Sequence, residues 1–220
     1  MKILALEISS ARGSLAWRDD EAEPSRGRWL REWPNDRKNS GAFFANLAEL
    51  QASFGPAERI VVGLGPGSYA GTRIAISAAI GLSFGGTTSV SSSKVGRDRA
   101  RPSIELVGMP SICAIDCDAP EYWVVGDARR QSFFFARVHD HDVVEGPDLL
   151  SEAELRAKID DQTAPLFATE ELPQFAHVER AYPSARVLAR LATEANRRFV
   201  LPPLEPMYLR EPHITQPKTR

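Results

Sequence analysis

The chain has 220 residues, 43% hydrophobic and 25% charged, with a formal net charge of −2. This is the composition of a globular protein with one or two domains, and the near-neutral charge removes any global electrostatic reason to bind nucleic acid or a membrane surface. Two cysteines, Cys113 and Cys117, make no disulfide framework, no apolar run reaches membrane-span length, and the start is charged too early for a signal peptide, so a cytoplasmic location is expected.

Lys2 to Ile8 alternates apolar residues and reads as a first strand. Gly13–Trp17 and Arg28–Trp33 read as the second and third, parted by the polar turn Asp19-Asp20-Glu21, with Trp17, Trp29 and Trp33 expected to cover one sheet. Asn39 or Ser40 can cap the following helix, in which Phe43, Leu47, Leu50 and Phe54 recur at steps of four, three and four, with Phe44 and Ala48 alongside. Gly55-Pro56 stops it. Ile60–Val62 is a β-branched run fit for a buried strand; Gly63, Gly65, Pro66 and Gly67 break it, and a helix follows from Tyr69 or Gly71 to Leu82. The order β-β-β-α-β-α is that of an actin-like (ribonuclease-H-like) α/β domain.

The glycine loop invites a nucleotide reading, which the residues oppose. A P-loop needs Gly-Lys-Ser/Thr, whereas Gly67-Ser68-Tyr69 has no lysine; a dinucleotide fingerprint would need glycine at Ser68 and an acidic residue in Thr87–Val95, where there is none. A tight strand-to-helix turn is expected instead of a phosphate cradle. In the helix after it, Gly71, Ala75, Ala78, Ala79 and Leu82 share one side, and Ile74, Ile76 and Ile80 fill the others. A helix apolar nearly all round is buried in its own domain or against a partner, and the pattern leaves both open.

Thr87–Ser103 is serine-rich, without periodicity, and reads as a flexible insert; Lys94, Arg97, Arg99 and Arg101 make it basic enough to touch RNA phosphates, although a solvated loop is the simpler expectation. Ile104–Val107 and Glu121–Val125 read as strands, and Ser132–Val138 as another whose run Phe133, Phe134, Phe135 must cover apolar surface. Ser151 and Glu154 form a capping box opening a helix of two to three turns. Leu166–Ala168 is a short strand, Ser184 caps a helix over Ala185–Arg198, and the prolines of Leu201–Arg210 keep that stretch extended. No internal repeat is visible. The chain divides into a first unit, residues 1–103, containing the insert 87–103, and a smaller second unit, 104–220, with a C-terminal tail.

Candidate chemistry is sparse. His139-Asp140-His141-Asp142 falls in a hairpin turn without a distant partner, Cys113 and Cys117 lack two further zinc ligands, and His177 and His213 stand alone. Gly65–Gly71 fails the G-x-S-x-G spacing. Glu7 ends the first strand where an actin-like kinase would keep an aspartate, with Asp116, Asp118 and Asp127 as conceivable mates. No catalytic, cofactor or metal site emerges.

Four landmarks in order, Ile3-Leu-Ala-Leu-Glu-Ile-Ser-Ser10, Gly63-Leu-Gly-Pro-Gly-Ser-Tyr-Ala-Gly-Thr-Arg73, Asp127-Ala-Arg-Arg130 and Pro206-Met-Tyr-Leu-Arg210, resemble the TsaB (YeaZ-type) family of bacterial tRNA threonylcarbamoyladenosine biosynthesis proteins. The resemblance spans nearly the whole chain. It implies two actin-like lobes with the second reduced, and a non-catalytic scaffold or activating subunit without a cofactor of its own. The family docks on TsaD, a catalytic paralogue whose metal-binding H-x-x-x-H this sequence lacks; TsaD, with the ATPase TsaE, modifies an adenosine next to the anticodon of tRNA. Docking uses the two helices of the first lobe, here Ser40–Phe54 and Gly71–Ser83. That places the interface at Phe43, Phe44, Leu47, Gly71, Ala75, Ala78, Ala79 and Leu82, a face that would also suit a homodimer of the free chain. The signature loop is Gly63, Gly65, Pro66, Gly67, Ser68, Gly71 and Arg73, with Arg73 expected to anchor it. Glu7 for the family's aspartate, Asn39-Ser-Gly41 for its His-Ser/Ala-Glu, and the insert depart from the pattern. The competing readings are an actin-like ATP-dependent phosphotransferase or glycopeptidase-like hydrolase, and an RNA-binding module resting on the basic insert.

Overall fold

The alternation Ile3-Leu4-Ala5-Leu6 sends successive side chains to opposite faces of a strand, and all four are buried, so apolar layers lie on both sides of it. This strand, β1 (Lys2–Glu7), is central in a sheet seen in a computed structural model that describes residues 1–22, 27–35, 40–85, 103–160 and 162–209. β1 pairs antiparallel with β2 (Arg12–Asp19), which pairs antiparallel with β3 (Arg28–Pro34); on its other side it runs parallel with β4 (Arg59–Gly63), and β4 with β5 (Glu105–Met109). Helix α1 (Gly41–Phe54) links β3 to β4 and ends where Gly55 takes φ +73°, donating its N–H to the Gln51 carbonyl. Helix α2 (Tyr69–Gly85) follows β4. Both cover the face carrying Leu4, Leu6, Leu15, Ile60 and Val62. The tryptophans do cover this sheet: Trp17 stacks on Phe54 at 5.3 Å, Trp29 meets Phe54 edge-on, and Trp33 lies 6.5 Å from Phe43.

The second sheet consists of β6 (Glu121–Asp127), β7 (Ser132–His139), β8 (Asp142–Ser151), β9 (Leu166–Ala168) and β10 (Val178–Arg180). Its order, β8-β7-β6-β9-β10, repeats that of the first sheet, β3-β2-β1-β4-β5, with the same pattern of antiparallel and parallel pairs. The sequence shows no repeat because only the topology is doubled. Helix α3 (Glu152–Ile159) occupies the place of α1, opened by the capping box of Ser151 and Glu154, while residues 169–177, in the place of α2, form no helix. The Phe133–Phe135 run alternates as a strand should: Phe134 faces a core shared with the first sheet, and Phe133 and Phe135 face one under α3. Helix α4 (Ala185–Leu191) packs against the β1–β2 side of the first sheet, its Ala185 N–H donating to Ser14 Oγ at 2.9 Å. Together these elements form an actin-like α/β fold.

Three expectations change. Glu105–Met109, placed by sequence in the second unit, is hydrogen-bonded into the first sheet. β8 and β10 were not expected: β8 carries Gly146-Pro147, which reads as a breaker, yet proline is tolerated at a sheet edge where no neighbour needs its N–H. The last helix stops at Leu191 rather than Arg198, where Glu194 bonds Arg197 locally. The insert, apart from Ser103, and Asn39 lie outside the described residues.

Candidate functional site

The loop between β4 and α2 is held from three directions. Ser111 accepts the Gly65 N–H through Oγ at 2.9 Å and donates its own N–H to the Gly65 carbonyl. Met207 N–H donates to the Leu64 carbonyl, and Ser68 N–H to the Ser9 carbonyl. Ser68 Oγ then accepts the N–H of Gly71, capping α2. Gly65 takes φ +90°, open mainly to glycine, and a Cβ on Gly71 would lie 2.2 Å from the Ile8 carbonyl oxygen. The glycines therefore serve close backbone approach, as a tight turn requires. Arg73 does not reach this loop: it is exposed on the first turns of α2 and donates to the hydroxyl of Tyr69, over whose ring it lies.

Behind the loop sits Glu7, fully buried, its carboxyl occupying the space that a Gly63 side chain would take. Oε1 accepts the Ser9 N–H at 2.7 Å, while Oε2 has no partner and no cation is at hand among the described residues. Burial pushes this carboxyl above its ordinary range; the nearby hydroxyls of Ser9 and Ser111 offset that only in part. Because the folded-state value is raised, Glu7 contributes stability that is complete below the unfolded carboxylate pKa and is lost as pH rises through the folded one. Denaturant midpoints of Glu7→Gln and the parent, measured as a pH series, are expected to diverge in favour of Gln as pH rises from the acid side. Parallel profiles would refute an ionisable Glu7 in the core.

In front of the loop a cleft of about 1070 Å³ separates it from the β6–β7 turn. Ser9, Gly67–Ala70 and Thr72 line one wall, Asp127–Gln131 and Thr169–Leu172 the other, and Pro206–Leu209 a third. Tyr208 in that last stretch packs on Tyr69 in a tilted pair with ring centroids 5.1 Å apart.

Beside the cleft, and sharing Tyr69 and Ala70 with it, an apolar groove of about 540 Å³ runs between α1 and α2, lined further by Phe44, Arg73, Ile74, Ser77 and Ala78. The sequence-expected interface divides here. Phe44, half exposed, and Ala78 line the groove, and Leu82 is partly open. Phe43, Leu47, Gly71, Ala75 and Ala79 are instead buried against the chain's own sheet. Gly71, Ala75 and Ala79 let that helix approach its own strands, while Ala78 turns to the groove. Ile80 and Phe84 extend the open face along α2, which the sequence reading assigned to neither surface.

The remaining candidates are dispersed. His141 lies at the β7–β8 turn as expected, donating from Nδ1 to the Cys113 carbonyl and accepting from Arg190 at Nε2, both at 2.7 Å; burial lowers its pKa. Cys113 is a free, buried thiol pushed up to about 12 by that burial, and Cys117 is also unpaired. Asp116 pairs with Arg186, and Asp127 accepts the Arg129 N–H, so neither joins Glu7. Among the described residues no group of three or more His, Cys, Asp or Glu side chains could hold a metal ion, and no helix is long and apolar enough to cross a membrane.

No known family profile and no curated protein sequence matches this chain. Solved structures do. One, from Pseudomonas aeruginosa, is described as an uncharacterized protein with similarity to peptidase YeaZ; it superposes with a TM-score of 0.68 at 19% identity over 95% of this chain and 99% of that one. Another, YeaZ from Pseudomonas aeruginosa, gives a TM-score of 0.65 at 18% identity over 94% and 99%. At such identity the likeness establishes the fold, over almost the full length of both chains.

Proposed function

We propose that this chain is a non-catalytic, partner-binding subunit, and that its partner is a TsaD-type protein in the complex that forms threonylcarbamoyladenosine beside the anticodon of tRNA, with TsaE joining the assembly. The observation that carries this reading is the groove between α1 and α2, where Phe44, Ile74 and Ala78 present apolar surface to solvent with Arg73 at the edge. An aromatic residue beside small ones on two adjacent helices suits a partner helix seated between them. The four landmarks of the YeaZ type, and the full-length likeness to YeaZ structures, support the choice of partner. Size-exclusion chromatography with light scattering, on this chain alone and mixed with TsaD from the same organism, is the test. A new one-to-one peak is expected. No complex, with or without ATP and TsaE, would overturn the proposal, and ATP turnover by the purified chain alone would overturn its non-catalytic part.

A further inference from the structure

The β7–β8 turn, Asp140-His141, fastens the second sheet to elements that belong with the first. The imidazole of His141, partly buried, bridges two of them. It lies 2.7 Å from the Cys113 carbonyl in a short 3-10 helix, Ser111–Ala114, that follows β5. It also lies 2.7 Å from Arg190 Nη2 on α4, the helix that packs on β1 and β2. The chemistry of these partners fixes the proton. A carbonyl only accepts and a guanidinium only donates, so Nδ1 carries the hydrogen and Nε2 presents its lone pair. Only the neutral ring can do both. With a proton on Nε2 as well, the ring would have nothing to offer Arg190, and two cations would meet at hydrogen-bond distance.

The surrounding groups give a second charge little shelter. Beyond α4, Arg197 donates to the Asp140 carbonyl at 2.9 Å and pairs with Asp142 at 3.0 Å and Glu194 at 2.7 Å. Glu194, the carboxylate that opposes these cations, is thus shared with Arg197 and also with Arg190 at 3.5 Å. The Asp140 carboxylate turns to His139, 3.3 Å away. The 3-10 helix and β6 supply only the Cys113 thiol and the Tyr122 phenol, both kept neutral by burial, with the Tyr122 ring edge-on to His141 at 6.4 Å. Burial first, then the two arginines, hold the imidazole below the ordinary histidine range, against the pull of the Cys113 carbonyl and Glu194. Nor does the turn support itself: Asp140 and His141 take φ of +48° and +62°, a left-handed region that non-glycine residues enter at a cost. We propose that His141 is the pin of a pH-sensitive clasp, which at neutral pH holds the β7–β8 turn against α4 and the 3-10 helix, and which in mild acid takes a second ring proton, drives Arg190 towards Glu194 and frees the turn. Because the folded-state value is lowered, the clasp's contribution is complete above the unfolded histidine value of about 6.5 and is lost as pH falls through that value towards the folded one.

Amide hydrogen exchange of the whole chain at pH 7.5 and pH 5.5, expressed as protection factors, tests this. Protection over residues 139–143, including the Asp140 N–H that donates to the Pro120 carbonyl, is expected to fall about fivefold or more in acid. β1, in the middle of the first sheet, should keep its protection. His141→Gln, neutral throughout, should lose the pH difference, whereas His139→Gln, at an exposed position on the same hairpin, should retain it. In an NMR titration of the His141 ring, Arg190→Met should move the midpoint up, which a purely structural role for the arginine would not do. No fall in the parent, a fall that spreads equally to β1, a fall that persists in His141→Gln, or a midpoint unmoved by Arg190→Met would each overturn the clasp.

Discussion

Ala78→Arg should weaken partner docking by about two orders of magnitude while leaving the fold intact. Ala78 lines the α1–α2 groove and is only partly buried, so in the free chain an arginine there can extend its charge into water. Once a partner covers the groove, that charge is desolvated without a counter-ion, a cost of roughly 2–5 kcal/mol, and each 1.4 kcal/mol is a factor of ten. Phe44→Ala should act in the same direction by removing an exposed aromatic anchor. Phe43→Ala, one residue away, should behave differently. Phe43 is fully buried between the sheet and α1 and touches Trp33 and Phe44, so truncation should lower stability by roughly 3–5 kcal/mol. Titration of each variant with TsaD, alongside urea midpoints, separates the two effects. Wild-type affinity in Ala78→Arg would remove this groove as the docking face, and unchanged stability in Phe43→Ala would contradict its place in the core.

That neighbouring phenylalanines answer to different forces explains what could be read from the sequence. The spacing of Phe43, Leu47, Leu50 and Phe54 identifies a helix and its apolar stripe, and the stripe is indeed the buried one for Phe43, Leu47 and Leu50. Spacing gives a face; it does not say whether that face meets the chain's own sheet or another molecule. For α2 the ambiguity is greatest, because the helix is apolar nearly all round, and its small residues divide, Gly71, Ala75 and Ala79 going to the interior and Ala78 to the groove. Phe44, Ile80 and Phe84, all exposed, look like ordinary apolar residues until the sheet claims the opposite face. The strands of the first sheet were legible to within two residues at each end, being apolar runs bounded by glycine, proline or charge, but the last of them, Glu105–Met109, was assigned to the wrong unit. The second was less so: β10 is three residues long, and β8 is an edge strand without a buried side chain, so neither carries a strong period. The cleft was not legible at all, because residues near 9, 69, 130, 170 and 208 meet only through the pairing of two similar sheets.

Gly71→Ala and Gly81→Ala place one methyl at two points of the same helix, and their effects on stability should have opposite signs. Helix propensity favours alanine over glycine by roughly 1 kcal/mol in both cases, through lost freedom of the unfolded chain. At Gly81 nothing lies within 4 Å of the added Cβ, so the gain should be kept, at about 0.5–1 kcal/mol. At Gly71 the Cβ would sit 2.2 Å from the backbone carbonyl oxygen of Ile8, with the Ser68 hydroxyl 3.2 Å away. Ile8 follows β1 directly, in the middle of the first sheet, and the Ser68 N–H holds Ser9, so neither side can give way cheaply. Overpacking of this kind costs roughly 1–3 kcal/mol and more when backbone must shift, which exceeds the propensity gain; a net loss of about 2 kcal/mol follows. Urea unfolding of the two variants under one condition measures both. Stabilisation by Gly71→Ala would mean that α2 does not meet β1 at this distance, and would release the small-residue side of the helix for the partner contact that the sequence first suggested.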